Sequence, residues 1–226
     1  MIITIDGPSG SGKTTLALNL AKHLHFFCMN SGYLYRSIAY ILTQYYGYDE
    51  QKIQHTGKDD IEAILNSPNF RYEYEYGLIK IYWTDEITMF LKSVEISRLS
   101  AVLAQNDVAR EMIKNYEKKL VGSRDTIVEG RACGSSMYPE ADLKFYLDAP
   151  VHVRAQRLQK DQKKKGNDIS LHDSIEQIEK RDFIDTNRKK DPLVVPQGAI
   201  VLDSSNYSAD ELLEHVLNYV KKYFKN

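Results

Sequence analysis

Residues 2–15, IITIDGPSGSGKTT, join an apolar run to a glycine-rich loop and then to Lys13-Thr14-Thr15. The run Ile2-Ile3-Thr4-Ile5 reads as a buried strand, and the apolar-periodic stretch after Thr14 reads as a helix. Gly7-x4-Gly12-Lys13-Thr14 is the full phosphate-loop pattern, and strand, loop and helix stand in the order its mechanism needs. Glycines let successive backbone N–H groups point at one phosphate, and the helix N-terminus adds positive potential. Gly7, Pro8, Ser9, Gly10, Ser11, Gly12, Lys13, Thr14 and Thr15 therefore form the expected polyphosphate cradle. Lys13 would span the outer two phosphates, and Thr14 would offer its hydroxyl to Mg²⁺.

Four more apolar runs extend the pattern: Phe26-Asn30, Thr126-Glu129, Lys144-Asp148 and Ala199-Asp203. They are mostly continuous rather than alternating, as strands covered on both faces are. Helical periodicity occupies the intervals: Thr14-His23, Tyr33-Tyr46, Val94-Leu120 in one or two pieces, Val151-Lys160, Leu171-Arg188 and Ala209-Phe224. The expected fold class is α/β, a P-loop fold with a five-stranded parallel sheet flanked by helices. Its ligands would sit beyond the carboxyl ends of the strands. Between Asn69 and Thr88 the rhythm changes: Tyr72, Tyr74 and Tyr76 alternate with Glu73 and Glu75 before Gly77, which predicts a small antiparallel hairpin or meander set into the core. Lys160-Asp168, KDQKKKGND, reads as a flexible charged loop.

Composition narrows the partners. The chain has 226 residues, 42% hydrophobic and 27% charged, with a formal net charge of -1, so no basic excess favours nucleic acid. The acidic residues between the tyrosines would repel a phosphate backbone. Nothing approaches the roughly 18 apolar residues of a membrane span, and the N-terminus starts at a strand, so a cytoplasmic protein without membrane contact is expected. Cys28 and Cys133 lack disulfide or zinc spacing, and the six histidines do not group like ligands.

Arginines supply the second theme. On the helix ending in RDFIDTNR, steps of three and four align Leu171, Ile175, Ile178, Arg181, Asp185 and Arg188. The stripe is apolar first and charged last, as a helix docked at one end and lining a cleft at the other would be. A solvated row of ion pairs fits the same spacing. Arg131 follows the third strand, and Arg36 follows the Asn30-Ser31-Gly32 turn after the second. Arg154 and Arg157 precede the lysine run, whose Lys163, Lys164, Lys165 and Gly166 could close over reacting phosphates. Phosphoryl transfer needs several oxygens neutralised and two substrates held in line, which guanidiniums do through bidentate contacts. A switch GTPase would carry Asn-Lys-x-Asp and Asp-x-x-Gly motifs, and neither is present. A small phosphotransferase remains, with a nucleotide-binding switch as the rival of another class.

ITIDGPSGSGKTT, NSGYLYR, VEGR with GSSMYPEADLKFYLDAP, RDFIDTNR with KKDPL, and VLDSS occur in order and at fitting distances. Together they make the sequence similar to the bacterial cytidylate kinases of the nucleoside monophosphate kinase group. That resemblance implies an ATP–Mg²⁺ donor, CMP or dCMP as the pyrimidine monophosphate acceptor, and a monomer. It also implies one kinase domain over 1–226: core 1–60 and 93–226, an inserted monophosphate-binding region at about 61–92, and a mobile lid at about 158–169. By the same resemblance Ser31, Arg36, Arg131 and Arg188 hold the acceptor phosphate, Arg181 and Asp185 reach its sugar, and Arg110 addresses the base. Lys13, Arg131 and the lid arginines Arg154 and Arg157 would be the catalytic charges. UMP or another small acceptor is the alternative within enzymes.

Two positions depart from the family's pattern. Asp-Gly-Arg-Asp is replaced by Glu129-Gly130-Arg131-Ala132, and the serine expected towards the base falls on Ala101, beside Ser100. Cytosine differs from uracil by an amino donor at C4 and an unprotonated N3. Losing two polar partners predicts weaker rejection of UMP than the family shows.

Overall fold

Every strand of the main sheet ends in a polar residue at one edge: Asp6, Asn30, Glu129, Asp148 and Asp203. In the computed structural model, which describes residues 1–164 and 166–224, these ends lie side by side. β1 (Ile2–Asp6), β2 (Phe27–Asn30), β6 (Thr126–Glu129), β7 (Leu143–Asp148) and β8 (Ile200–Asp203) form a parallel sheet in the order β2-β6-β1-β7-β8. The expected five-stranded parallel α/β fold is therefore the fold observed. Ile3, Ile5, Ile127, Val128, Phe145 and Leu147 are fully buried, as strands covered on both faces require.

Helices follow the sequence pattern with informative differences. α1 (Lys13–Leu24) starts at the loop, with Gly12 in the left-handed region at φ 93 as its N-cap. Gly7 cannot be replaced: its φ is +145, and a Cβ there would sit 2.0 Å from the Leu147 carbonyl oxygen on the neighbouring strand. The Asn30-Ser31-Gly32 turn is instead the start of α2 (Ser31–Gln44), because the Asn30 side chain accepts from Tyr33 N and caps the helix ahead of the expected start at Tyr33. The long Val94–Leu120 pattern is two helices, α5 (Val94–Leu103) and α6 (Asp107–Val121), with Asn106 capping the second. Two short helices, α3 (Glu50–Gln54) and α4 (Lys58–Leu65), were not anticipated.

Between α4 and α5 stands the second sheet, β3 (Phe70–Glu75), β4 (Leu78–Trp83) and β5 (Asp85–Glu86), antiparallel as the tyrosine alternation predicted. Tyr76 and Gly77 make its turn with φ of 53 and 80. Tyr72 is buried while Tyr76 is 94% exposed, so the alternating face ends at the turn.

α7 (Val151–Lys164) runs through Lys160, Lys163 and Lys164, so the first half of the expected flexible loop is helix. Lys and Gln propagate a helix well, and no helix breaker stands between Lys160 and Lys164. Lys165 lies outside the described residues. α8 (Leu171–Asn187) stops one residue early, leaving Arg188 extended at φ -66, ψ 146, and α9 (Ala209–Tyr223) closes the sheet with a Ser208–Glu211 capping box. Among the described residues no helix is long and apolar enough to cross a membrane.

Candidate active site

At the carboxyl edge of the sheet lies a cleft of about 810 Å³, large enough for two small ligands side by side. Its walls carry the phosphate loop from Ser9 to Thr15, together with Ser31, Arg36, Arg110, Arg131, Arg157, Arg181 and Arg188. Residues as far apart in the chain as Ser9 and Arg188 thus share one cavity.

The loop end is tightly organised. The Lys13 ammonium donates to Pro8 O at 2.6 Å and to Ser11 Oγ at 3.2 Å, and Ser11 Oγ donates to Pro8 O at 3.0 Å. Burial, reinforced by repulsion from Arg131, pulls the Lys13 pKa down to about 7. Thr14 Oγ1 donates to Glu129 Oε1 at 3.0 Å, and the second oxygen of Glu129 is buried with no hydrogen-bond partner among the described residues. Asp6 is differently used: its two oxygens accept Cys133 N at 2.8 Å and Gly134 N at 2.7 Å, fixing the turn after Arg131, while burial raises its pKa.

Arg154 and Arg157 reach back from α7 onto this loop. Arg154 donates to Ala149 O at 2.8 Å and Ser9 O at 3.0 Å and pairs with Asp182, which also accepts Ser9 N at 3.0 Å. Arg157 donates to Ser204 Oγ at 2.8 Å and Ser204 O at 2.7 Å, and Ser204 Oγ donates to Ser11 O at 2.8 Å. Asp182 and Ser204 were not anticipated. Their partners lie on other elements, beyond any local spacing.

Opposite the loop, three guanidiniums converge on one buried carboxylate. Asp185 Oδ2 accepts Arg131 Nε at 2.8 Å and Arg181 Nε at 3.1 Å, and Asp185 Oδ1 accepts Arg188 Nη1 at 3.2 Å. Burial pushes the Asp185 pKa up, but Arg181, Arg131 and Arg188 outweigh it and hold the carboxyl well below its usual range. The group carries a net charge of about +2, which desolvated oxyanions would meet. The Asp185 carboxylate has no exposed surface and lies beneath the arginines it aligns. Arg36 stands beside them and donates to no protein group among the described residues. Burial, then repulsion from Arg181, lowers its pKa to about 10. Ser31 Oγ donates to Glu117 Oε1 at 3.0 Å, and burial pushes the Glu117 pKa up to about 8.

Arg110 donates to Asp191 Oδ2 at 3.0 Å and Ala104 O at 3.2 Å. On α6, Arg110, Lys114 and Glu117 fall on one helix face at steps of four and three, the first two lining the cleft and Glu117 buried behind Ser31; that spacing was the available signal for Lys114 and Glu117. Of the two departures, Ala132 lines the cleft while Ala101 is buried. Ser100 Oγ accepts from Arg181 at 3.3 Å.

Known proteins give this arrangement its family. The sequence model described as cytidylate kinase matches residues 3–222. The chain is 32% identical over 225 residues to a cytidylate kinase of Mycoplasma genitalium, covering 99% of this chain and 98% of that one. It is 33% identical over 225 residues to a cytidylate kinase of Chlamydia trachomatis, covering 99% of each. Among solved structures, shikimate kinase from Acinetobacter baumannii superposes with a TM-score of 0.46 at 15% identity, over 98% of this chain and 93% of that one. With a full-length sequence match and a phosphate loop facing an arginine cluster across one cleft, the chain belongs to the cytidylate kinase family.

Proposed function

We propose that the chain transfers the γ-phosphoryl group of ATP to CMP and dCMP. The observation that carries this reading is the shared cleft: a loop of backbone amides with Lys13 on one wall, and Arg36, Arg131, Arg181 and Arg188 on the other. A donor polyphosphate on the loop and an acceptor phosphate on the arginines would meet end to end, and positioning with charge neutralisation supplies most of such a reaction's rate. Ser31 would add a hydroxyl to the acceptor phosphate. Arg154 and Arg157, at the loop, would stabilise the transferring group, and Arg110 would face the base.

The donor set fits Mg²⁺, a hard cation that prefers a few protein oxygens together with phosphates and water. Thr14 Oγ1 and the unpartnered Glu129 oxygen would hold it, and of the carboxylates at strand ends only Glu129 has such an oxygen buried in the cleft. When bound it neutralises charge on the phosphates. The stretch 158–169 serves as the lid in this reading, excluding water when both substrates are bound.

A coupled assay with Mg·ATP over CMP, dCMP, UMP and AMP tests it. ADP formation should depend on added monophosphate and be most efficient with CMP or dCMP. ADP formed at the same rate without any acceptor would refute it.

A further inference from the structure

Arg188 links two halves of the cleft. Its Nη1 meets Asp185 in the arginine cluster, while its Nε donates to Asp191 O at 2.6 Å on the far side. Beyond it stands a closed polar network. Asp191 Oδ2 accepts Arg110 Nε at 3.0 Å, Asp191 Oδ1 accepts the Ser136 hydroxyl, and Lys114 Nζ donates to Ser136 Oγ at 3.0 Å and Ser136 O at 3.2 Å. Arg110, Lys114, Ser136 and Asp191 all line the cleft, as does Ala132. Asp191 keeps a positive φ of 49 immediately before Pro192, a conformation held by these contacts.

The bonding fixes the polarity of the Ser136 hydroxyl. An ammonium only donates and a carboxylate only accepts, so the single proton of Ser136 goes to Asp191 and one lone pair goes to Lys114. What remains on Ser136 is one lone pair, an acceptor with no proton to offer. Asp191 likewise can only accept while ionised. Burial pushes its pKa up, but the Ser136 hydroxyl, Arg110 and Lys114 outweigh that and hold it below the ordinary value. One corner of the cleft therefore presents acceptors, with the Arg110 guanidinium as the donor beside them.

We propose that Ser136 and Asp191 read the exocyclic amino group of the acceptor's cytosine, taking over from the carboxylate and hydroxyl missing at Ala132 and Ala101. The proposal rests on the CMP kinase reading above. Cytosine offers an amino donor at C4 beside an acceptor N3, which matches acceptors beside Arg110; uracil offers O4 and a protonated N3, which is mismatched at both. A site built this way rejects the wrong base because it sets O4 against acceptors and the N3 proton against the Arg110 donor. The loss of two polar partners argued for weak discrimination; this pair argues for its retention.

Steady-state kinetics with CMP and UMP on the wild type, Asp191→Asn and Ser136→Ala decide it, with thermal melts run beside them. The wild type should prefer CMP by at least roughly a hundredfold in kcat/KM, and each variant should shrink that ratio at least about tenfold. Asp191→Asn should gain on UMP relative to CMP, because an amide can donate to O4. If Asp191→Asn does not fold, Ser136→Ala carries the test alone. Parallel losses on both nucleotides, with the ratio intact, would overturn the proposal and leave the kinase reading standing, as would a wild type that phosphorylates CMP and UMP equally. A wild type that phosphorylates neither overturns the kinase reading and this assignment with it.

Discussion

Lys13 is folded onto its own loop, its ammonium on Pro8 O and Ser11 Oγ, in surroundings that disfavour its charge. A polyphosphate on the loop would supply the missing countercharge. Arg188 stands at the other wall, bonded to Asp185 Oδ1 and Asp191 O, and burial followed by repulsion from Arg110 lowers its pKa to about 10. Both side chains are charges placed where negative oxygens would collect, and such charges act mostly in the transition state. Lys13→Ala and Arg188→Ala should each lower kcat/KM by at least about a hundredfold in the coupled assay. Near-normal activity would remove the residue concerned from the site.

Among the elements, the β3–β4 hairpin has an attachment its alternation did not disclose. Tyr72 OH accepts Asn30 N at 2.9 Å and donates to Cys28 O at 3.0 Å, so a tyrosine of the second sheet satisfies the exposed edge of β2 in the first. Phe27 packs edge-on against Tyr72 and Tyr74. Asn30 then caps α2, the helix carrying Ser31 and Arg36, so the hairpin braces one wall of the cleft. Tyr72→Phe leaves a buried N–H and a buried carbonyl without partners. It should cost roughly 2 kcal/mol, which is about 4–8 °C in Tm for a chain of this size, and raise KM for the acceptor more than KM for ATP. A melting temperature within a degree of the wild type would show that the hairpin is not held this way.

For the molecule as a whole, Glu117 on α6 couples stability to pH. It is fully buried against Ser31, and desolvation lifts its pKa from 4.5 to about 8. Between those values the unfolded chain has released this proton and the folded chain has kept it, so stability falls as pH rises and the loss levels off above about 8. Glu117→Gln keeps an oxygen for Ser31 and removes the titration. Its gain over the wild type should be absent near pH 4.5 and grow to on the order of a few kcal/mol by pH 8, read from paired denaturant titrations. A difference that stays flat across this range would place the Glu117 carboxyl in water. The residues that the local pattern exposes, and those it hides, divide along one physical line. By itself the sequence determined the phosphate loop, the five parallel strands, the hairpin and the i, i+4 spacing of Arg181 and Asp185, because strand and helix periods, glycine conformations and fixed motif spacings act over a few neighbours. Only the tertiary structure decided that Asp185 lies beneath three arginines, that Tyr72 seals β2, and that Ser136 and Asp191 share a corner with Arg110. Those contacts join groups as far as 81 positions apart, and their energies exist only after packing has excluded water and left each buried polar atom to find its partner.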